Sequence, residues 1–221
     1  MSRAVLSLMT GLTRITRASK NLLMRVNDTV AAAARRAQIV TAAIDTIAEL
    51  GYGNASFARI AKRAGISSTR LISYHFDDKA DLVRAVVGAV LTEAAEHMGK
   101  RLRAATGRVE LLTAYIESNL EFIAEHPTAI RAVIEIAAAA RTEDGTPLVR
   151  PEDADDPVAR LAVLFREGQQ AGEFRTFDPE VMAVTLRAAI DAAANRPDLD
   201  PHAYAAELVA LFTLATRKDP A

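Results

Sequence analysis

The sequence predicts an all-α protein in two parts, an N-terminal three-helix unit built on a helix-turn-helix and a C-terminal helical domain. Three observations carry the fold class. Apolar residues make up 50% of the 221 positions, and many are alanine, the strongest helix former. Runs rich in β-branched or aromatic residues are few. Apolar side chains recur at three- and four-residue spacing between Gly, Asp and Pro punctuation.

The length allows one large or two modest domains. The absence of cysteine excludes disulfides and thiolate metal sites, and fits a reducing, cytoplasmic setting. No apolar stretch approaches the ~20 residues needed to span a bilayer, so no membrane partner is expected. The net charge of −1 hides an asymmetry. Residues 1–82 hold 12 of the 27 basic and 6 of the 28 acidic residues, a balance of +6, which leaves −7 for the rest. A basic front on an acidic back points to a polyanionic partner for the front alone. Chance clustering of surface charge would give the same numbers.

Taken in order, residues 1–30 form a basic extension, expected to be disordered, with Arg3, Arg14, Arg17, Lys20 and Arg25 against Asp28. It is too broken by polar residues to be a secretory signal, though its composition mimics a transit peptide. It is either a dispensable tail, with translation starting at Met24, or a flexible arm adding phosphate contacts. Ala31 to Leu50 reads as a helix with Ile39, Ala43, Ile44, Ile47 and Leu50 on one face. Gly51 and Gly53 stop it, and Asn54 or Ser56 can cap a helix over Phe57–Arg63. Gly65 breaks again, Ser67 can cap a third helix to about His75, and Asp77 or Asp78 opens a long fourth helix toward Leu102. Further helices are expected at Val109–Glu125, Pro127–Arg141, Pro157–Ala171, Pro179–Asn195 and Pro201–Lys218. The domains are drawn at 31–91 for the helix-turn-helix unit and 92–221 for the remainder.

The stretch Phe57–Phe76 reads FARIAKRAGISSTRLISYHF. Two short helices that cross steeply need a small residue at the crossing, which Ala61 supplies, and a residue at ease with positive φ in the turn, which Gly65 supplies. Ile60, Ala64, Ile66 and Leu71 are placed to pin the pair. That is the helix-turn-helix pattern, whose second helix lies in the major groove. The second helix offers Ser67, Ser68, Thr69, Arg70 and Ser73, with Tyr74 and His75 at its end. Arginine can bond guanine O6 and N7 together, and hydroxyls reach phosphates or bases. Lys79, Arg59, Lys62 and Arg63 suit phosphates. Singly, each of these residues could equally be an ordinary solvated side chain.

Arg35 to Leu82 resembles the TetR family of bacterial transcriptional regulators. The matching residues are Ile39, Ala43 and Leu50 in the first helix, Gly51-Tyr52, Ile60-Ala61 and Ala64-Gly65-Ile66-Ser67. Tyr74-His75-Phe76 followed by Lys79 and Leu82 is the most specific part. The distance from Gly65 to Phe76 is one residue longer than the common family spacing. Counted from Gly65, Arg70 falls where the family often has a base-reading threonine; counted back from Phe76, it falls one place earlier. The resemblance implies a double-stranded DNA operator, a small-molecule effector and a homodimer.

The last helix independently supports the dimer. Ala203, Tyr204, Ala205, Leu208, Val209, Leu211, Phe212, Leu214 and Ala215 cover nearly all its sides. An all-round apolar helix is buried on more than one face. Val181–Ala194 is similar, so the last two helices of two chains would form a four-helix bundle, unless both are interior helices of a monomer. Tyr115, Asn119, Phe122 and His126 step along one helix and could line a cavity, with Phe165 and Gln169 completing it. They could equally be core and margin residues.

The four histidines show no metal-ligand spacing, and no phosphate loop or nucleophile elbow is present, so neither a cofactor nor catalysis is expected. A helical enzyme or carrier would leave the basic front unexplained.

Overall fold

The computed structural model describes residues 30–142, 144–148, 156–196 and 198–218. The expectations for residues 1–29 lie outside them. Among the described residues the chain is helical: α1 over 30–50, α2 Phe57–Arg63, α3 Arg70–His75, α4 Lys79–Ala104, α5 Arg108–Glu125, α6 Pro127–Ala139, α7 Pro157–Gln170, α8 Pro179–Ala193 and α9 Pro201–Thr216.

The helix starts are set by side-chain caps. Asp156, Asp178 and Asp200 each precede a proline at the first helical position and accept backbone N–H bonds, from Val158, from Glu180 and Val181, and from His202 and Ala203. Asp78 caps α4 through the Asp81 N–H at 2.6 Å. Ser56 caps α2 through the Arg59 N–H, while Asn54 instead bonds the Leu50 carbonyl at the end of α1.

The turn after α2 is a closed Schellman motif. Gly65 N–H bonds Lys62 O, and Ile66 N–H bonds Ala61 O at 2.9 Å. Gly65 takes φ +65°, the left-handed region a side chain would resist. The third helix begins later than Ser67. Ser68 Oγ accepts the Arg70 N–H at 3.2 Å and Leu71 N–H reaches Ser68 O, so Ser68–Thr69 are used in the opening turn.

This start sets the register of α3. Its fully buried residue is Ile72, with Phe76 one turn later, while Leu71 is only half-buried. Leu71 is therefore a margin residue rather than the pin. Leu50, expected on the inner face of α1, is 37% exposed.

Two large cores result. The first joins Ile39, Ala43 and Ile47 of α1, Ile60 of α2, Ile72 of α3, and Leu82 and Val86 of α4. It also takes in Ala132 and Ile136 of α6. The second joins Leu112, Ile116 and Leu120 of α5 to Leu161 and Phe165 of α7, Leu186 and Ile190 of α8, and Leu208 and Phe212 of α9. A smaller group of Val90, Phe122 and Ala129 adjoins the first core through Ile44. The division drawn at 91 falls inside α4, which runs unbroken from one core to the other. No helix among the described residues is long and apolar enough to cross a membrane.

Candidate functional site

The face of α3 opposite Ile72 and Phe76 presents the sequence-predicted reading residues. Ser67, Ser68, Thr69, Arg70 and Ser73 are exposed, and Tyr74 is 79% exposed. His75 is half-buried and meets the Tyr74 ring edge-on at 5.1 Å. Ser73 Oγ donates to Thr69 O at a long 3.5 Å, and Ser68 Oγ is engaged at the helix start. Among the described residues Arg70 bonds through its backbone only, which leaves its guanidinium available to a partner.

The flanking cations divide into anchored and open groups. Arg59 Nη1 donates to Asn54 O at 2.8 Å, and Arg63 pairs with Glu49. Lys79 Nζ donates to Tyr52 O at 2.7 Å and lies over the Tyr52 ring; burial lowers its pKa below the ordinary lysine value. Lys62 is exposed on α2. Arg36 stacks its guanidinium over the buried Phe76 ring at 4.6 Å, a fixing contact between α1 and the end of α3 that the sequence reading missed. Gln38 Nε2 donates to Ala64 O at 2.6 Å and holds α1 to the turn.

The six residues expected to line one cavity are in three places. Tyr115 and Asn119 meet Arg187 of α8, whose Nη1 lies 3.4 Å from Tyr115 Oη and 3.3 Å from Asn119 Oδ1. Burial works against the Arg187 charge, but Asp191 and Tyr115 outweigh it and raise its pKa above the ordinary value. The signal for this contact was a lone cation in the apolar run VMAVTLRAAI. Phe122 and His126 stack at 4.4 Å and meet His97 of α4. Phe165 is fully buried, and Gln169 donates to the carbonyls of Arg175 and Phe177, which is a structural role. A period-of-four face on α5 thus winds past two different neighbours and cannot serve one site.

One cavity among the described residues lies elsewhere. A space of about 370 Å³ opens between the end of α5 (Leu120, Ile123), the start of α6 (Ile130), the end of α8 (Ala193) and the start of α9 (Tyr204). Of its polar side chains, Tyr204 Oη donates to Ala189 O at 2.8 Å, and Arg196 is bidentate to Asp198 through Nε and Nη2.

These features define a helix-turn-helix unit of the DNA-binding type, carried on an all-helical second unit with its own cavity. Residues 39–86 match the family described as bacterial regulatory proteins, tetR family. Over this unit the chain is similar to that family. It is 32% identical over 106 residues to the HTH-type transcriptional regulator BetI of Cronobacter sakazakii, covering 47% of this chain and 52% of that protein. The chain thus spans about half the length of the curated relatives it matches. The fold is shared with the fatty acid degradation regulator FadR of Bacillus halodurans, at 22% identity, TM-score 0.70, and coverage of 81% and 98% of the two chains. It is also shared with a protein of Saccharomonospora viridis described as a transcriptional regulator and solved with choline, at 22% identity, TM-score 0.68, and coverage of 83% and 98%.

Proposed function

We propose that the protein is a cytoplasmic transcriptional regulator, a ligand-responsive repressor that binds a near-palindromic operator as a homodimer. The observation that carries this reading is the exposed α3 face of Arg70, Ser73 and Tyr74, held rigidly on a core that buries Ile72 and Phe76. Such a face enters a major groove, where Arg70 meets a guanine edge and the hydroxyls meet phosphates or thymine and adenine edges. Arg59, Ser67, Ser68, Thr69, His75 and Lys79 frame it. Anchored arginines such as Arg59 retain spare N–H groups for phosphate oxygens.

The cavity suits an apolar small molecule. Its lining offers a single aromatic ring, Tyr204, and its polar groups have partners already. A quaternary ammonium would call for an aromatic cage. An effector at this place bears on α5, α6 and α9, and α6 shares the first core with the reading unit. Its binding can favour one arrangement of the reading heads only by its differential affinity for the two states.

The test is a footprint on the DNA upstream of the protein's own gene at a stated salt concentration. Protection of a two-fold site with half-sites about 10 bp or a multiple apart is the expected result. Absence of any protected site with folded protein would reject the regulator and leave a helical small-molecule-binding protein or enzyme.

A further inference from the structure

We propose that His97, Glu125 and His126, with Glu93 beside His126, form a binding site for a divalent transition-metal ion of the zinc type. The four residues form two sequence pairs, 93/97 and 125/126, which the fold brings together. Glu93 and His97 are four apart on α4 and so share a face of that helix. Glu125 ends α5, and His126 is the joint between α5 and α6. Pro127 follows His126, and the residue before a proline is driven out of the helical region. His126 has φ −121° and ψ 48°, which breaks the helix axis there and aims its side chain at α4.

The geometry is that of a site awaiting modest contraction. One ligand atom from each of His97, Glu125 and His126 lies within 4.8 Å of the others. His97 Nδ1 is 3.7 Å from Glu125 Oε2, and His126 Nδ1 is 3.4 Å from Glu93 Oε1. Bond lengths of ~2.0–2.2 Å in a tetrahedral site put donor atoms about 3.4 Å apart. The two histidine side chains are largely covered, at 24% and 27% exposure, and the Phe122 ring backs both, stacked on His126 and tilted against His97. The two glutamates are freer, at 63% and 53% exposure, so carboxylate rotation closes the remaining distance. Fixed imidazoles with movable carboxylates make a site that is partly formed in advance.

The donor set selects the class of ion. Two imidazoles with carboxylates suit zinc and its first-row neighbours, whereas magnesium and calcium prefer oxygen alone. Bound there, the ion ties the middle of α4 to the α5–α6 corner and stabilises the folded state by mass action.

The experiment is a zinc titration of the full, tag-free chain in competition with a chromophoric chelator, with magnesium as comparison. One zinc per chain is expected, together with a rise in melting temperature. His97→Gln and His126→Gln should each weaken binding at least about tenfold, the effect that even an outer partner of a metal commands. Glu125→Gln, on an exposed side chain, should weaken it in the same direction, and His202→Gln, on α9 and outside the group, should leave it unchanged. Circular dichroism identifies any variant that fails to fold, in which case Glu125→Gln decides. No stoichiometric zinc, zinc affinity unaltered in the folded His97, His126 or Glu125 variants, or magnesium bound as tightly as zinc would each overturn the proposal. No DNA enters the measurement, so it succeeds or fails apart from the regulatory reading.

Discussion

The Lys79 ammonium sits 2.7 Å from the Tyr52 carbonyl oxygen and 4.1 Å from the centre of the Tyr52 ring. The first residue of α4 is thereby fastened to the turn between α1 and α2, the two ends of the reading unit. A half-buried ammonium is tolerable here because a carbonyl and an aromatic face replace water. Lys79→Met keeps the stem and removes both interactions. It should lower the melting temperature by the equivalent of about 1 kcal/mol, with the salt slope of DNA binding changed by less than about one unit. An unchanged melting temperature with a slope reduced by about one would make Lys79 a phosphate contact alone.

Two glycines test two different requirements. A Cβ on Gly65 would meet nothing within 4 Å, so Gly65→Ala is opposed by the φ of +65° alone, at about 1–2 kcal/mol. Gly168 lies inside α7, where alanine is intrinsically favoured by about 1 kcal/mol. Its Cβ, however, would run into the buried Phe174 ring, whose Cγ is 3.0 Å away and whose edge is nearer. Overpacking of this kind costs about 1–3 kcal/mol, so Gly168→Ala should destabilise as well. Denaturant midpoints of both variants check this. In a Phe174→Ala background the cost of Gly168→Ala should vanish or change sign, while that of Gly65→Ala should persist.

Much of the fold was legible because its signals are local. The Asp-Pro pairs at 178–179 and 200–201 fixed helix starts through their own backbone. Gly65 revealed its turn for the same reason. What escaped depends on which helix stands opposite. Leu71 and Ile72 are adjacent apolar residues, and only the late start of α3 at Arg70 decides that Ile72 turns inward. The face of Tyr115, Asn119, Phe122 and His126 was visible as a pattern, but Arg187 from α8 and His97 from α4 divide it. His97 and His126 are 29 positions apart, so spacing alone could not pair them, and they seemed scattered until α4 and α5 packed.

The register left open by the spacing of Gly65 and Phe76 now has a structural frame. With Ile72 and Phe76 inward, Arg70 and Tyr74 are one turn apart on the outer face. Arg70→Ala should relax preference at one base position by ~1–3 kcal/mol in binding across an operator library. Lys62→Ala should weaken all sequences alike and reduce the salt slope by about one. A uniform loss for Arg70→Ala would instead make it a phosphate contact and shift base reading toward Ser73 and Tyr74.

The back half exposes large apolar side chains on its last two helices. Val181 and Val184, three apart on α8, are 63% and 55% exposed. Leu211 and Leu214, three apart on α9, are 59% and 63% exposed. The other side of α9 buries Ala205, Leu208 and Phe212 in the second core, so the helix is apolar on two faces and uses one internally. A second copy covering the outer face by a two-fold axis would bury these four residues from each chain, and would also set two reading heads for two half-sites. The double variant Leu211→Glu with Leu214→Glu should therefore be monomeric in sedimentation, should keep its helical spectrum, and should lose two-site protection on DNA. Full burial of an exposed leucine contributes about 1.5–3 kcal/mol, and charging the four across the axis removes that contribution and adds the cost of burying carboxylates. A wild-type chain that sediments as a monomer at micromolar concentration would remove this interface, and with it the two-fold geometry of the operator.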